Sequence, residues 1–199
     1  MSANFEMMIF TEKYACPSFA EDALRVLGVR GITSSLFSAA KDWFFTESGP
    51  VDTETDGHAF VNAGNILRID FPNRDNVNCG LFVSMENGLY QYSLWCSCLH
   101  PALDRDEIDA ENRAIYESLY QVIMKWIEQG ALANYVVVAM GTELFFDTEL
   151  PLRSIVSGAK NVCAWIVHPA HMDWIGDSMP GYTMHKGDYS CGEIWEKRT

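Results

Sequence analysis

Between Asn65 and Phe71 the chain alternates, with Leu67, Ile69 and Phe71 apolar and Arg68 and Asp70 charged between them. A period of two is what a strand with one buried face requires. "PNRDNVNCG" breaks that pattern, and "LFVSMENGLYQYSLWCSCL" then sets Asn87-Gly88 between two β-rich runs. A type I′ turn selects Asn-Gly because both central residues need positive φ. Three consecutive antiparallel strands are predicted here.

Elsewhere the apolar period lengthens to that of a helix. In "SFAEDALRVLG", Ser18 and Glu21 have the form of a capping box, Leu24 and Leu27 continue a stripe, and Gly28 offers a C-cap. "SSLFSAAKDWFF" repeats Leu36, Ala39, Ala40, Trp43 and Phe44 at intervals of three and four, which predicts a second helix. The acidic stretch from Thr46 to Gly57 has no apolar period and reads as a surface loop. Pro101 ends the third strand. Asp104 followed by Glu107 then caps a long helix striped by Ile108, Ile115, Leu119, Val122 and Trp126 and stopped by Gly130. "NYVVVAMGTELFFDTEL" reads as a second hairpin, Tyr135 to Met140 and Glu143 to Leu150, joined around Gly141. Pro151 leads out of the sheet, and Ile155, Ala159, Val162 and Ile166 recur at helical spacing. From Pro169 onward no period emerges.

These elements predict an α+β domain, an antiparallel sheet of about five strands with helices packed on it, in the order α-α-β-β-β-α-β-β-α. The chain reads as a single domain over residues 1–199, with a core at 19–168 and an irregular C-terminal tail at 169–199. At 199 residues, 48% hydrophobic and 13% aromatic, it has material for a substantial core. Arg25, Arg30, Lys125 and Glu128 interrupt the apolar runs, so nothing approaches the roughly 20 residues of a spanning helix. Glu6 stands where a secretory signal would carry a basic start, and a cytoplasmic location is expected. The six cysteines, Cys16, Cys79, Cys96, Cys98, Cys163 and Cys191, are scattered through a chain that needs no staples and are expected as thiols. A formal charge of -13, dense at Thr46 to Gly57 and Asp104 to Glu111, disfavours nucleic acid and anionic membrane and points to a basic partner if a charged one.

Two stretches carry a resemblance. "GLYQYSLWCSCLHPALDRDEIDAENRAIYESLYQVIMKWIEQG" runs a strand through a proline into a long helix, and "YVVVAMGTELFFDTELPL" ends a hairpin in Leu-Pro-Leu before the last helix. From about Phe19 to His168 this order is similar to the small bacterial YbjN-like proteins and, at the level of fold, to the type III secretion chaperones. The resemblance implies a non-enzymatic homodimer that presents sheet and helix surface to another polypeptide and needs no cofactor.

Candidate chemistry is sparse. On a strand, Cys96, Cys98 and His100 share a face with Tyr92 and Leu94, where thiols fill a core as small hydrophobes. A structural zinc site takes a full tetrahedral set of ligands, and no second Cys/His pair follows. His168, His171 and Asp173 in "VHPAHMDW" form a second candidate cluster at the end of the last helix. Pro169 biases His168 out of helical geometry, and the glutamate of a His-Glu-x-x-His metallohydrolase is absent. Cys98 with His100, or Cys163 with His168, lacks the basic surroundings that activate a thiolate. No G-x-S-x-G, P-loop or G-x-G-x-x-G occurs. Tyr90, Tyr92 and Trp95 are candidates for an aromatic binding platform.

Three functions follow. The leading one is a protein-binding or chaperone-like adaptor that uses Tyr90, Tyr92, Trp95, Asp52, Glu54 and Asp56 and pairs with itself. The second is an immunity or antitoxin-type protein whose acidic loop masks a basic toxin. The third is a metal-dependent enzyme built on His168, His171 and Asp173.

Overall fold

The computed structural model describes residues 4–32, 37–44, 48–52, 56–97, 100–146, 154–174, 179–185 and 190–198. The elements run β1 (Asn4–Thr11), α1 (Ala20–Val26), β2 (Phe37–Ala40), β3 (Ser48–Val51), α2 (Gly57–Asn62), β4 (Ile66–Asp70), β5 (Cys79–Glu86) and β6 (Leu89–Ser97). They continue with α3 (Arg113–Glu128), β7 (Tyr135–Phe145), α4 (Ile155–Gly158), β8 (Lys160–Val167), β9 (Tyr182–Met184) and β10 (Glu193–Lys197). Among the described residues the strands make one ten-stranded sheet in the order β3-β2-β4-β5-β6-β1-β7-β8-β10-β9. Every pairing is antiparallel. The α+β class holds, while the five-strand sheet and the order α-α-β-β-β-α-β-β-α do not.

The expected β4, β5 and β6 are present. Asn87 and Gly88 take φ of 52° and 80°, as a type I′ turn demands, and β5 and β6 pair directly across it. The largest departure is β1, which sequence reasoning did not propose and which lies between β6 and β7. Burial alternates from Asn4 to Ile9, but Phe10 and Thr11 are buried as well, so the end of β1 is covered on both faces.

The predicted second helix is strand β2, with Ala39 opposite Leu67 and Ala40 opposite Ile66; pairing on both sides, to β3 and β4, outweighs a helical stripe in so short a stretch. Leu36 lies outside the described residues. The predicted loop from Thr46 to Gly57 contains β3, and Gly57 opens α2. The first helix forms, preceded by a 3₁₀ turn at Pro17–Phe19, but Ser18 Oγ reaches Cys16 Sγ at 3.4 Å and caps nothing. Gly28 ends it at φ 88°.

The long helix starts at Arg113, later than Asp104. Its approach is folded as a turn around buried Asn112, whose amide donates to the carbonyls of Ala102 and Glu107 at 2.9 Å and whose oxygen accepts from Asp109 N–H. Gly130, at φ 80°, stops it as expected.

The second hairpin is instead a single strand, β7, running unbroken through Gly141; Leu150 lies outside the described residues. At Gly141 the register with β8 shifts, and a side chain there would strike the Asn161 carbonyl and come within 2.8 Å of Leu144 Cδ2. Glycine marks a bulge here, where the sequence suggested a turn. The last predicted helix shrinks to the single turn α4, and its remainder is β8, whose residues from Val162 to Val167 are all buried. A strand covered on both faces reads as a continuous apolar run and mimics a buried helix. The stretch 169–199, expected as an irregular tail, supplies a 3₁₀ turn at Pro169–Trp174 and strands β9 and β10; Ile194 and Trp195 pair with Ile166 and Trp165.

The sheet has two unlike faces. On the first, Phe5, Met7, Ile9, Leu81, Val83, Tyr92, Leu94, Val138 and Met140 pack beneath α1 and α3, which contribute Leu24, Leu119, Tyr120, Ile123 and Trp126. The second face carries a smaller cluster around Phe10, Val137, Ala139, Trp165, Val167 and Trp195. Arg113 on α3 binds Glu196 of β10 at 3.0 Å, and Tyr120 and His185 reach the same carboxylate at 3.3 Å, which ties the helix layer to the end of the sheet.

Candidate functional site

Beyond its apolar cluster, the second face turns polar and aromatic towards β4. The register sets Arg68 beside Phe82, Phe82 beside Ser93 and Ser93 beside Met8; in the next row Asp70, Gly80, Trp95 and Glu6 follow one another. The Arg68 guanidinium lies 5.8 Å from the centre of the Phe82 ring and pairs with Asp70 at 2.9 Å. Phe82 stacks on Trp95 with centroids 6.4 Å apart, and Trp43 meets Phe82 edge-on at 5.7 Å. Gly80 makes this possible: a Cβ there would come within 2.7 Å of the Trp95 indole and 2.6 Å of the Ile69 carbonyl. Trp43 is 51% exposed, so the aromatic row reaches solvent, and its chain neighbour Phe44 is 86% exposed.

An open cleft of about 400 Å³ adjoins this row, lined by Arg68, Asp70, the loop from Phe71 to Asn78, and Cys79. Asn73 shapes its wall: its amide nitrogen donates to the carbonyls of Phe71 and Val77, and its oxygen accepts from Val77 N–H at 3.0 Å. Asn76 takes φ 51°, which asparagine tolerates better than most residues. The cleft combines the Arg68–Asp70 ion pair with the carboxamides of Asn76 and Asn78, polar groups of the kind that orient a bound segment by hydrogen bonding.

Glu6 anchors the far end of the Trp95 row. Burial pushes its carboxyl above the ordinary value of 4.5, against the pull of the Leu144 N–H that it accepts at 2.9 Å. Nearby Ser84, Gln91 and Ser93 are buried polar side chains; Gln91 Oε1 and Trp95 Nε1 find no hydrogen-bond partner among the described residues. Gln91 and Trp95 both lie on the second face.

The residues singled out from sequence are dispersed. Trp95 belongs to the aromatic row, but Tyr90 and Tyr92 point to the first face and are 5% and 0% exposed. Tyr92 bridges to Ala15, accepting its N–H at 2.6 Å and donating to its carbonyl at 2.9 Å; Tyr90 donates to Asn62. Asp52 and Asp56 are exposed on either side of residues 53–55, and Glu54 lies outside the described residues. In the run Asp104 to Glu111, Arg105 binds both Asp109 and Glu111, which trims the acidity presented there.

His168 and His171 do approach, with ring centres 5.8 Å apart, at the end of β8 and in the following 3₁₀ turn, not at a helix end. Burial and the neighbouring His171 hold the His168 imidazole below its ordinary value. The carboxylate that reaches His171 is Glu12 at 4.0 Å, while Asp173 is exposed. Cys96 faces the core opposite Cys79, His100 leads into a 3₁₀ turn, and Cys98 lies outside the described residues. No group of three His, Cys, Asp or Glu side chains is placed to hold a metal among the described residues.

Sequence reasoning did not assign Arg68, Phe82, Trp43 or Phe44 to a site. The available signal was Gly80, which ends the break "PNRDNVNCG" and leads into the β-rich run; a glycine within a strand marks close approach by a neighbour. Among the described residues no helix is long and apolar enough to cross a membrane. The chain matches no family model and no curated protein.

Proposed function

We propose that this chain is a non-enzymatic, chaperone-like adaptor that holds a basic, aromatic-rich segment of another polypeptide on the second face of its sheet. The observation that carries the reading is the run of aromatic rings from Trp95 through Phe82 to the exposed Trp43, followed in sequence by the exposed Phe44 and set beside a polar cleft. Aromatic residues supply large contact area at little cost in side-chain freedom, and they dominate binding hot spots. The net charge of -13 selects a basic partner and speeds the encounter. Self-pairing as a homodimer is part of the same proposal.

The test uses reduced, denatured lysozyme, a basic unfolded polypeptide, diluted into buffer with or without this protein while light scattering is followed. The wild type is expected to suppress aggregation, and a Trp43→Ser/Phe44→Ser double variant to lose at least half of that effect. Because both side chains are largely exposed, the double variant is expected to lose no more than about 1 kcal/mol of stability. Equal suppression by both proteins, or none by either, removes the reading. Native mass spectrometry of the same samples reads the assembly: a dimer supports self-pairing, and a monomer at every concentration removes it.

A further inference from the structure

The cleft ends on a pair of thiols. Cys79 of β5 and Cys96 of β6 sit directly opposite each other, and both are thiols, 3% and 2% exposed. Ser97 N–H donates to the Asn78 carbonyl at 2.9 Å, so the adjacent pair 78/97 is hydrogen-bonded and Cys79/Cys96 occupies a non-hydrogen-bonded site of the ladder. Cα atoms at such sites are about 4.5 Å apart, inside the range of about 4.4–6.8 Å that a disulfide spans. The two side chains project to the same face because they are cross-strand partners.

We propose that Cys79 and Cys96 form a reversible cross-strand disulfide, with Cys79 the thiol that peroxide reaches through the cleft and oxidises first, and Cys96 the one that resolves it. This goes beyond the polypeptide-binding reading and does not depend on it.

The two positions are not equivalent. Cys79 lines the cleft, and its sulfur lies 3.6 Å from both the Asn73 amide nitrogen and the Phe71 carbonyl. Cys96 stands behind it, between Cys79 and Phe5, with its sulfur 3.5 Å from the Ser97 carbonyl. Hydrogen bonding from Cys96, aided by Asn73, holds the Cys79 thiol below its ordinary value despite burial. A thiolate-prone cysteine beside a resolving partner is the arrangement that redox-sensitive sites use.

In the first step the Cys79 sulfur attacks one oxygen of hydrogen peroxide and the O–O bond breaks. Cys79 becomes a sulfenic acid, oxidised by two electrons, and the other oxygen leaves as water with the thiol proton. The Cys96 sulfur then attacks Cys79, the S–O bond breaks, and the hydroxyl leaves as a second water with the Cys96 proton. Two thiols and one peroxide become one disulfide and two waters. Dithiothreitol returns the pair to thiols by exchange, taking the disulfide into its own ring. Oxidation removes the Cys79 thiol proton directed at Phe71, so it alters the wall of the cleft.

The test exposes the folded, reduced protein to hydrogen peroxide, then denatures it, blocks remaining thiols with iodoacetamide and cleaves at glutamate without reductant. Cleavage at Glu86 separates the two cysteines. A cross-linked pair of peptides containing Cys79 and Cys96 is expected, abolished by dithiothreitol. It is also expected to disappear in Cys79→Ser and Cys96→Ser and to persist in Cys98→Ser and Cys163→Ser. In Cys96→Ser, dimedone is expected to capture Cys79 as the sulfenic acid. Full alkylation of Cys79 after peroxide overturns the proposal, as does a cross-link that survives Cys96→Ser or is lost in Cys98→Ser.

Discussion

The two faces of the sheet solve different problems with the same strands. On the first, side chains from β1, β5, β6 and β7 are buried under two helices and form one continuous apolar layer. On the second, an apolar cluster around Trp165 gives way to Arg68, Phe82, Ser93 and Trp95, and no helix of comparable length lies over them among the described residues. Helices cover a face uniformly and so demand uniform hydrophobicity. Connections cover it piecemeal, which leaves room for charge, carboxamides and exposed rings.

Adjacent residues of β5 test that contrast most sharply. Leu81, fully buried on the first face, should cost about 3 kcal/mol when replaced by alanine, through lost burial and a residual cavity. Phe82, one position on, removes more atoms but should cost only about 1 kcal/mol, the scale of its ring and guanidinium contacts. Urea denaturation of the two variants measures both, and equal losses would erase the distinction between the faces.

A second comparison sets one glycine against the ladder around it. Gly141→Ala should destabilise by about 2 kcal/mol, because the new methyl group meets the Asn161 carbonyl and strand β8 must shift to admit it. Thermal unfolding reads this as a lower midpoint, and an unchanged midpoint would mean that the bulge has slack.

The smallest effect is one of pH. Glu6 has its carboxyl raised by burial, so the folded state holds the proton more tightly than the unfolded chain. Its contribution is fully present below about 4.5 and is lost as pH rises through the folded value. Glu6→Gln keeps an oxygen for Leu144 N–H and cannot ionise. The difference in midpoint, variant minus wild type, should therefore grow as pH is raised from about 4.5 to 7; a constant difference would assign Glu6 a polar role without linkage.

What the sequence disclosed follows the same division. β4 to β6 were legible because Leu67, Ile69 and Phe71 alternate with Arg68 and Asp70, and because Asn87-Gly88 admits one kind of turn. β1 and β8 were not: in β1 the polar alternation of Asn4 and Glu6 with Phe5 and Met7 is short and is lost in the apolar run Met7 to Phe10, and in β8 Val162 to Val167 are all buried, so nothing polar marks the period there. β7 was cut at Gly141 because a glycine reads alike as a turn and as a bulge until its neighbour is known. Of the aromatic site only Trp95 was singled out; Trp43 and Phe44 fitted a helical stripe, and the pairing that brings Trp43 to Phe82 comes from strands far apart in sequence.

The position of β1 also sets the order in which the molecule can be made. Met7 settles between Leu94 and Met140, yet Met140 is added about 130 residues later, on the order of ten seconds at ribosomal speed. Until β6 is made the stretch from Phe5 to Phe10 has neither neighbour, and until β7 is made it has only one, so the centre of the sheet closes late, through contacts of long sequence separation that fold slowly. The growing chain thus exposes an apolar strand before its second partner exists, and its yield in a cell should depend on whether something shields those residues until β7 arrives.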